Sequence, residues 1–453
     1  MGKGMGASDP ALAVVILAAG QGTRMNSGLA KVLHEIAGRP MLAYPIQIAE
    51  SLGAERLVVV VGRDADAVKQ AFAGRVTFVL QEPQRGTGHA VLEARPALEG
   101  FRGDVLILYG DTPLLRVETL RAMRARKART QADLVILTAR IPLPGRIARD
   151  DLGRVARIVE VTDATEAELA LEESNTGTYL VDSELLWKAL AQLDDRNAQG
   201  ELYLTDIVER LLAEGRRVEA EELAEPVEGL GVNTRAELAQ AGAVVRRRTA
   251  ERLMAAGVTL IDPAATYLDD GVEVGRDTVI EPGCVVRGAT RIGERVHVKA
   301  HCTLESSRIG DDCVIGPNAH LRPGTVLHRG VRIGNFVEVK NSELGEGVKA
   351  DHLAYIGDAD VGPGASFGCG AITVNYDWTA KHRTTVGDGA TIGCNANLVA
   401  PVVIGAGAAV AAGTTVTHDV PGEALAVARE RQRNVEGWRA RRPRGKARDG
   451  HGS

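Results

Sequence analysis

The sequence predicts an α/β chain in two parts: a Rossmann-like domain with a largely parallel sheet, then a long helix leading into a coiled β-solenoid. Three observations carry this. Short apolar, β-branched runs alternate with helix-like stretches through the first half. Residues 236–256 form a proline-free segment rich in Ala, Arg and Leu. From Val274 onward an aliphatic side chain returns at every sixth residue. A helix repeats every 3.6 residues and a half-buried strand every 2, so a period of six belongs to a solenoid.

In the first part, residues 13–19, 57–61, 76–80, 105–109 and 134–139 read as strands, and residues 41–52, 65–73, 89–99 and 118–127 as helices. Such alternation places ligands at the carboxyl ends of the strands. In the second part the repeat runs Val274, Ile280, Val286, Ile292, Val298, Leu304, steps to Ile309, and continues in segments to Val416. Two residues before it stands a small or β-branched residue such as Thr278, Cys284, Cys302, Cys313, Ala319 or Ala390. A narrow interior needs that pairing of sizes, because close packing tolerates neither voids nor overfilling. Glycines following the repeat residue, among them Gly275, Gly293 and Gly334, are expected to free the backbone where the chain turns. Three six-residue sides make a coil of about 18 residues, with coils stacked at about 4.8 Å and about eight coils in all. The register breaks between Phe367 and Val386, so residues 374–385 are expected to leave the coil as a loop. The expected segments are 10–234, 235–257 (connecting helix), 258–430 (solenoid) and 431–453, a basic tail read as a solvated, disordered end.

Bulk properties exclude several classes. With 453 residues, 25% charged and a net charge of −5, the chain has no overall nucleic-acid field. No apolar run reaches the roughly 18–20 residues of a membrane span, and residues 1–10 lack a signal-peptide core. The five cysteines form no close pair, and three fill the small slot of the repeat. They read as core residues of a cytoplasmic protein, not as a zinc site.

Three strand ends carry chemistry. Residues 17–25 (LAAGQGTRM) follow the first strand; Gly20 and Gly22 allow backbone amides to approach a ligand, and Arg24 and Lys31 add charge for a polyphosphate. The loop 81–89 (QEPQRGTGH) follows another. Asp111, in LYGDTPL, follows a third, where a carboxylate can hold a divalent metal on phosphate oxygens. In the solenoid, Arg322, Lys340 and His352 are spaced by multiples of six, which suggests adjacent coils at one edge of the column, near Tyr355 and the Asn375-Tyr376 loop.

LAAGQGTRM, the lysine seven residues after Arg24, QxxxxGTGHA, LYGDTPL, SNTG and GVNTR together resemble sugar-nucleotide pyrophosphorylases. With the hexad half, nearly the whole chain resembles the bifunctional N-acetylglucosamine-1-phosphate uridylyltransferase/glucosamine-1-phosphate acetyltransferases. The resemblance implies that Leu17, Ala18, Ala19, Gly20, Gln81, Gly86 and Thr87 contact UTP, with Arg24 and Lys31 at its phosphates. It implies that Tyr109, Gly110 and Asp111 line the nucleotide and metal site, that Asp111 and Asn233 ligate Mg²⁺, and that Gly145, Glu160 and Asn175 hold N-acetylglucosamine. In the solenoid it implies His352 as general base, with Arg322, Lys340, Tyr355, Ser366 and Asn375 on glucosamine-1-phosphate. Cys369, Asn375, Tyr376, Lys381, Cys394, Ala412 and Arg429 would contact acetyl-CoA. It further implies a left-handed parallel β-helix of hexapeptide repeats, a homotrimer sharing its acetyl sites between subunits, and a supply of UDP-N-acetylglucosamine for peptidoglycan and lipopolysaccharide. Ser366, Cys369, Trp378 and Cys394 stand where the family more often has Asn, Ala, Gly and Ser, and Thr162 and Ala30 where it has Lys and Pro. Two other readings stay open: a single-activity nucleotidyltransferase whose solenoid is structural or regulatory, and a non-enzymatic β-helix. A scaffold has no need of Arg322, Lys340, His352 and Asn375 together, and the second alternative leaves the first half unexplained.

Overall fold

The computed structural model describes residues 10–62 and 65–441. The chain forms two compact units, the first running to Glu251 and including Leu268–Asp270, the second made of Arg252–Tyr267 and the residues from Gly271 onward.

The first unit is built on one mixed sheet. Its strands are β1 (Leu12–Ala18), β2 (Arg56–Val61), β3 (Thr77–Leu80), β4 (Asp104–Tyr109), β5 (Leu134–Ala139), β6 (Gly145–Arg149), β7 (Val155–Glu160), β8 (Ser174–Asp182) and β9 (Val218–Glu222). The order is β9-β5-β8-β4-β1-β2-β3, with β6 on β8 and β7 on β6. The longer helices are α1 (Ala43–Ser51), α2 (Ala65–Ala71), α3 (Thr87–Glu93), α4 (Val117–Thr130), α5 (Ser183–Leu190), α6 (Ile207–Ala213) and α7 (Arg235–Ala255), with one further turn of helix at Glu166–Leu169. Strand β1 explains the centre: Ala13, Val15 and Leu17 enter one apolar cluster while Leu12, Val14 and Ile16 enter the other. A strand covered on both faces must be apolar throughout, as a parallel central strand requires.

The sheet is less parallel than the sequence predicts, because β8 runs antiparallel between β4 and β5. Its first half, Ser174 to Thr176, is polar yet buried, so no apolar run marks it. The expected helix over 89–99 starts earlier, at Thr87, and gives way to a 3₁₀ turn at Arg95–Leu98, where Pro96 cannot donate to an α-helical ladder. Helix α7 is no free connector. Ala241 and Val245 pack with Ile36, Met41, Leu114 and Val232 of the first unit. Its start is fixed by a reciprocal cap: Glu237 accepts from the amides of Asn233 (2.7 Å) and Thr234 (2.8 Å), and its own amide donates to the Thr234 hydroxyl (3.2 Å).

The second unit is a three-sided prism of parallel sheets with ten, nine and eight strands. The first face contains Lys349–His352 and Ser366–Phe367, the second Glu338–Lys340 and Tyr355–Gly357, and the third Glu343–Leu344 and Ala359–Val361. Repeat residues from Ile280 to Val416 point inward and are buried, as are the cysteines Cys284, Cys302 and Cys313; Val274, in the first coil, is half-buried. The repeat also continues through Thr373, whose hydroxyl donates to the Gly357 carbonyl (2.9 Å) and accepts from the Gly357 amide (2.7 Å). The excursion is therefore shorter than expected, because Val374 still pairs with Val399 and Thr384 with Val402.

The glycines after the repeat residue have a different cause from the one predicted. Turning falls instead on positive-φ residues in three corner columns, such as Phe336, Leu353 and Asn395 on one and Asn341 and Asp358 on another. A Cβ at Gly275 would lie 2.6 Å from the Gly293 backbone, and one at Gly334 would lie 1.9 Å from the Asp351 carbonyl oxygen. These positions are glycine because stacked coils touch there.

Candidate active sites

The pocket of the first unit opens at the carboxyl ends of β1, β3 and β4. It is lined by Leu17, Ala18, Ala19, Gly20, Lys31, Gln81, Gly86, Thr87, Tyr109 and Asp111, all expected from sequence, and also by Val32, Gln84, Ala90 and Glu201. Gln81 is buried and donates to the Gly86 carbonyl at 2.9 Å, which shapes the loop before α3. Gly86 has φ 101°, and a Cβ there would meet the Leu202 carbonyl at 2.7 Å. Only glycine suits that turn. Gln84 donates to the Ala19 carbonyl and accepts from Gln21, tying the glycine loop to the loop after β3. Gln84 lies within the 81–89 loop, but nothing in its sequence context marks it as a pocket residue.

Charge concentrates at one point. The Lys31 ammonium pairs with Asp111 and donates to the Asn233 amide oxygen at 3.1 Å. A backbone bond from Val232 to the Asp111 carbonyl, 2.8 Å, brings the two loops together. Asp111 and Asn233 therefore already share one cation. One carboxylate and one amide oxygen form a sparse donor set, the kind that suits a hard ion keeping waters and phosphate oxygens as its other ligands. Among the described residues no group of three His, Cys, Asp or Glu side chains could hold a metal.

The remaining expected residues fall beside this pocket rather than in it. Arg24 is exposed and acts on Glu237 at the start of α7. Gly110 is packed against Ala18, Val32 and Leu42 and works by letting those side chains close. Gly145 pairs with Glu160 on one side and Asn175 on the other, so the three stand in one row across β7, β6 and β8. Glu160 accepts from Thr205 at 3.1 Å, and burial raises its carboxyl above the ordinary range. Asn175 donates to Tyr179 at 2.6 Å. Tyr109 links row and pocket: burial, then Asp111 and Glu160, push its phenol far above the usual value, so it stays protonated and can donate. Beside Glu160, Asp206 is pushed up to about 6 by burial and by Glu209.

The prism holds two groups, at the two ends of its second face. At one corner Arg322 pairs with Glu338 at 2.8 Å and follows a strand in register with Lys340's strand. Lys340 is pushed below its ordinary value by Lys381 beside it, then by burial and Arg322. Asn375 donates to the buried Asp358 carboxylate and to the Tyr355 hydroxyl (3.4 Å). Asp358, which the sequence reading did not select, also receives the Asn341 amide and so anchors the corner. From here residues 375–383 project as a hairpin with Tyr376 bridged to Lys381. Asp377 accepts from the Ala380 amide, then from Thr379 and His382, which holds its carboxyl well below the usual range and the loop in shape. At the tip Trp378 is 88% exposed.

At the other corner stands His352, exposed, in register with Asn335 on the preceding coil. Ser366, half-buried, shares that first face. Extending the registers places Cys369, Cys394 and Ala412 below His352, and the amides of Asn395 and Gly413 bond to the Cys369 and Cys394 carbonyls at 2.8 Å each. Arg429 ends the column, donating to the Ala412 carbonyl at 2.7 Å. The expectation of one shared edge is thus corrected. Arg322 and Lys340 lie a whole face from His352, roughly 15 Å at strand rise, because His352 precedes the corner at Leu353 while Lys340 precedes the next, at Asn341.

Comparison with known proteins agrees with both architectures. Residues 14–217 match the MobA-like NTP transferase domain. Residues 271–306 and 306–341 match the bacterial transferase hexapeptide (six repeats), and 383–418 the hexapeptide repeat of succinyl-transferase. The prism is the left-handed parallel β-helix of hexapeptide proteins. The chain is 49% identical to the bifunctional protein GlmU of Pelobacter propionicus, covering 95% of this chain and 98% of that one. It is 47% identical to GlmU of Brevibacillus brevis (95% and 97%) and 48% to that of Halalkalibacterium halodurans (93% and 97%). With matches of that extent across both units, the chain belongs to the bifunctional GlmU family, which joins an N-acetylglucosamine-1-phosphate uridylyltransferase to a glucosamine-1-phosphate acetyltransferase.

Proposed function

We propose that the pocket at Lys31, Asp111 and Asn233 binds UTP with Mg²⁺, and that the column below His352 binds acetyl-CoA. The acetyl group passes first: the glucosamine-1-phosphate nitrogen attacks the thioester carbonyl, His352 accepts the amine proton, and the C–S bond breaks to release the thiol. General-base catalysis by a positioned side chain typically contributes about 10²–10⁴-fold. In the second transfer a phosphate oxygen of N-acetylglucosamine-1-phosphate attacks the α-phosphorus of UTP, and the bond to pyrophosphate breaks. No protein nucleophile is needed; in-line placement and charge neutralisation suffice. Residues 17–20, Gln81, Gly86 and Thr87 would seat the nucleotide, and Lys31 and Arg24 would face its phosphates. Gly145, Glu160 and Asn175 would hold the sugar, with the protonated Tyr109 between. Reactions of this class depend on a metal, and Mg²⁺ on Asp111 and Asn233 would offset charge on the phosphates.

The observation that carries this reading is the convergence of Asp111 and Asn233 on one cation beside a glycine loop. In the prism, Arg322, Lys340, Tyr355 and Asn375 would grip the sugar phosphate; Tyr376, Lys381 and the column Cys369, Cys394, Ala412 and Arg429 would take the coenzyme. Because His352 and Lys340 lie at different corners, the acetyl site is proposed to form between copies, the His352 corner of one against the Lys340 corner of another. A closed threefold ring satisfies that head-to-tail contact, so the assembly is read as a homotrimer. No described helix is long and apolar enough to cross a membrane, and the proposed compartment is the cytoplasm, where the product would feed peptidoglycan and lipopolysaccharide synthesis. The separation of His352 from Lys340 is also what a purely structural solenoid would allow. One experiment addresses both units. Asp111→Ala is expected to lower UTP turnover by at least about 100-fold while thiol release from acetyl-CoA and glucosamine-1-phosphate continues. Unchanged UTP turnover refutes the nucleotide assignment, and absence of thiol release in the unaltered protein favours the single-activity alternative.

A further inference from the structure

The carboxylate and the amide assigned above to a divalent cation are both bonded to one group of the chain itself. Lys31 pairs with Asp111 and donates to Asn233 at 3.1 Å, with its side chain 9% exposed and that of Asp111 18% exposed. The base of the lysine is fixed, since a Cβ on Gly22 would lie 2.6 Å from the Lys31 Cβ, so the glycine loop rests on its stem. Its head is not fixed in the same way. Lys31, Gly20 and Asp111 line one cavity, and the four-carbon stem lets a compact ammonium swing within it.

We infer that Lys31 is a placeholder: its ammonium holds the cation position of the empty pocket and gives it up to the nucleotide, so the divalent ion enters with or after the nucleotide and not before. This rests on the assignment of Asp111 and Asn233 as metal-binding oxygens. An ammonium seated on those oxygens repels a divalent ion brought to them, and pushing a nearly buried ammonium off the Asp111 carboxylate costs it that partner. A triphosphate removes that obstacle by offering the lysine new anionic oxygens inside the same cavity. Nucleotide and metal then bind with positive coupling, and Lys31 is the positioning residue that creates it.

The test uses Mn²⁺ as probe, retained by the full chain in equilibrium dialysis, with and without a non-hydrolysable UTP analogue. The unaltered protein is expected to retain Mn²⁺ weakly alone and at least about tenfold more tightly with the analogue. Lys31→Met is expected to bind Mn²⁺ alone about tenfold more tightly than the unaltered protein and to lose most of the analogue's enhancement. Equal Mn²⁺ affinity in the unaltered protein with and without analogue overturns the inference, a result that needs no variant to fold. So does a Lys31→Met protein that binds Mn²⁺ alone no more tightly. Asp111→Asn separates this from the underlying assignment: it is expected to abolish analogue-dependent Mn²⁺ retention, and if retention persists, the metal assignment itself has failed.

Discussion

Lys31, Asp111 and Asn233 come from three distant stretches of the first unit and meet at one ammonium, whereas Lys340 and His352, close neighbours in the chain, end at opposite corners of one prism face. An α/β sheet gathers its chemistry by ending several strands at the same rim, so one chain completes a pocket. A prism distributes chemistry along edges, and two edges of one convex column never face each other. The nucleotide pocket is therefore a property of the fold, whereas the acyl site proposed above calls on a second copy of the chain. Sequence distance is a poor guide in both cases, in opposite directions.

The sharpest way to break this contrast is complementation. His352→Ala alone is expected to lower acetyl transfer by about 10²–10⁴-fold, and Lys340→Ala to impair it as well, with UTP turnover intact in both. Mixing the two variants under conditions of subunit exchange should restore part of the activity, since some interfaces then pair an intact His352 corner with an intact Lys340 corner. An acetyl assay of the mixture that stays at the level of the separate variants places the two residues in separate sites and removes the shared-interface reading.

A smaller effect is expected from the coil spacing. Gly334→Ala would put a Cβ 1.9 Å from the Asp351 carbonyl oxygen, and the coils cannot part without straining their ladder. A cost of about 1–3 kcal/mol in prism stability is expected, seen as a lower acetyl-transfer half-life on heating while nucleotide turnover keeps its own. Equal loss of both activities would show that the two units do not fail separately.

The smallest effect concerns a half-buried carboxyl of the first unit. Asp206 has a folded value pushed up to about 6 by burial, so the folded protein binds the extra proton and its stability falls as pH rises from about 4 to 6, then levels off. Asp206→Asn should remove that slope and raise stability near pH 7 by about 1 kcal/mol, after allowance for partial exposure. Thermal unfolding at pH 5 and pH 7.5 checks both the sign and the size.

The hexad was legible because each inward residue reports its own packing; Ile280, Leu304 and Val339 need no neighbour to be identified. The first strand and the glycine loop were legible for the same reason. Strand β8 was not, since Ser174, Asn175 and Thr176 are buried by pairing their polar groups, a pattern that resembles a loop until partners are known. Asp358 escaped because its role arises from Asn341 on one coil and Asn375 on another. The glycines of the repeat are visible in the sequence but ambiguous: the series marks where backbones touch, and sequence alone does not separate contact from turning. The spacing of Arg322, Lys340 and His352 misled because a multiple of six fixes the position along a side and leaves open which side, and a prism has three.

The hairpin at residues 375–383 leaves the column after Val374 and returns at Thr384 with the stack undisturbed. This corner is thus a tolerant insertion point, where nine extra residues are spliced in while the inward side chains on either side keep their level. Surface chemistry can therefore change there without disturbing the scaffold, and the exposed aromatic tip at Trp378 stands at that point.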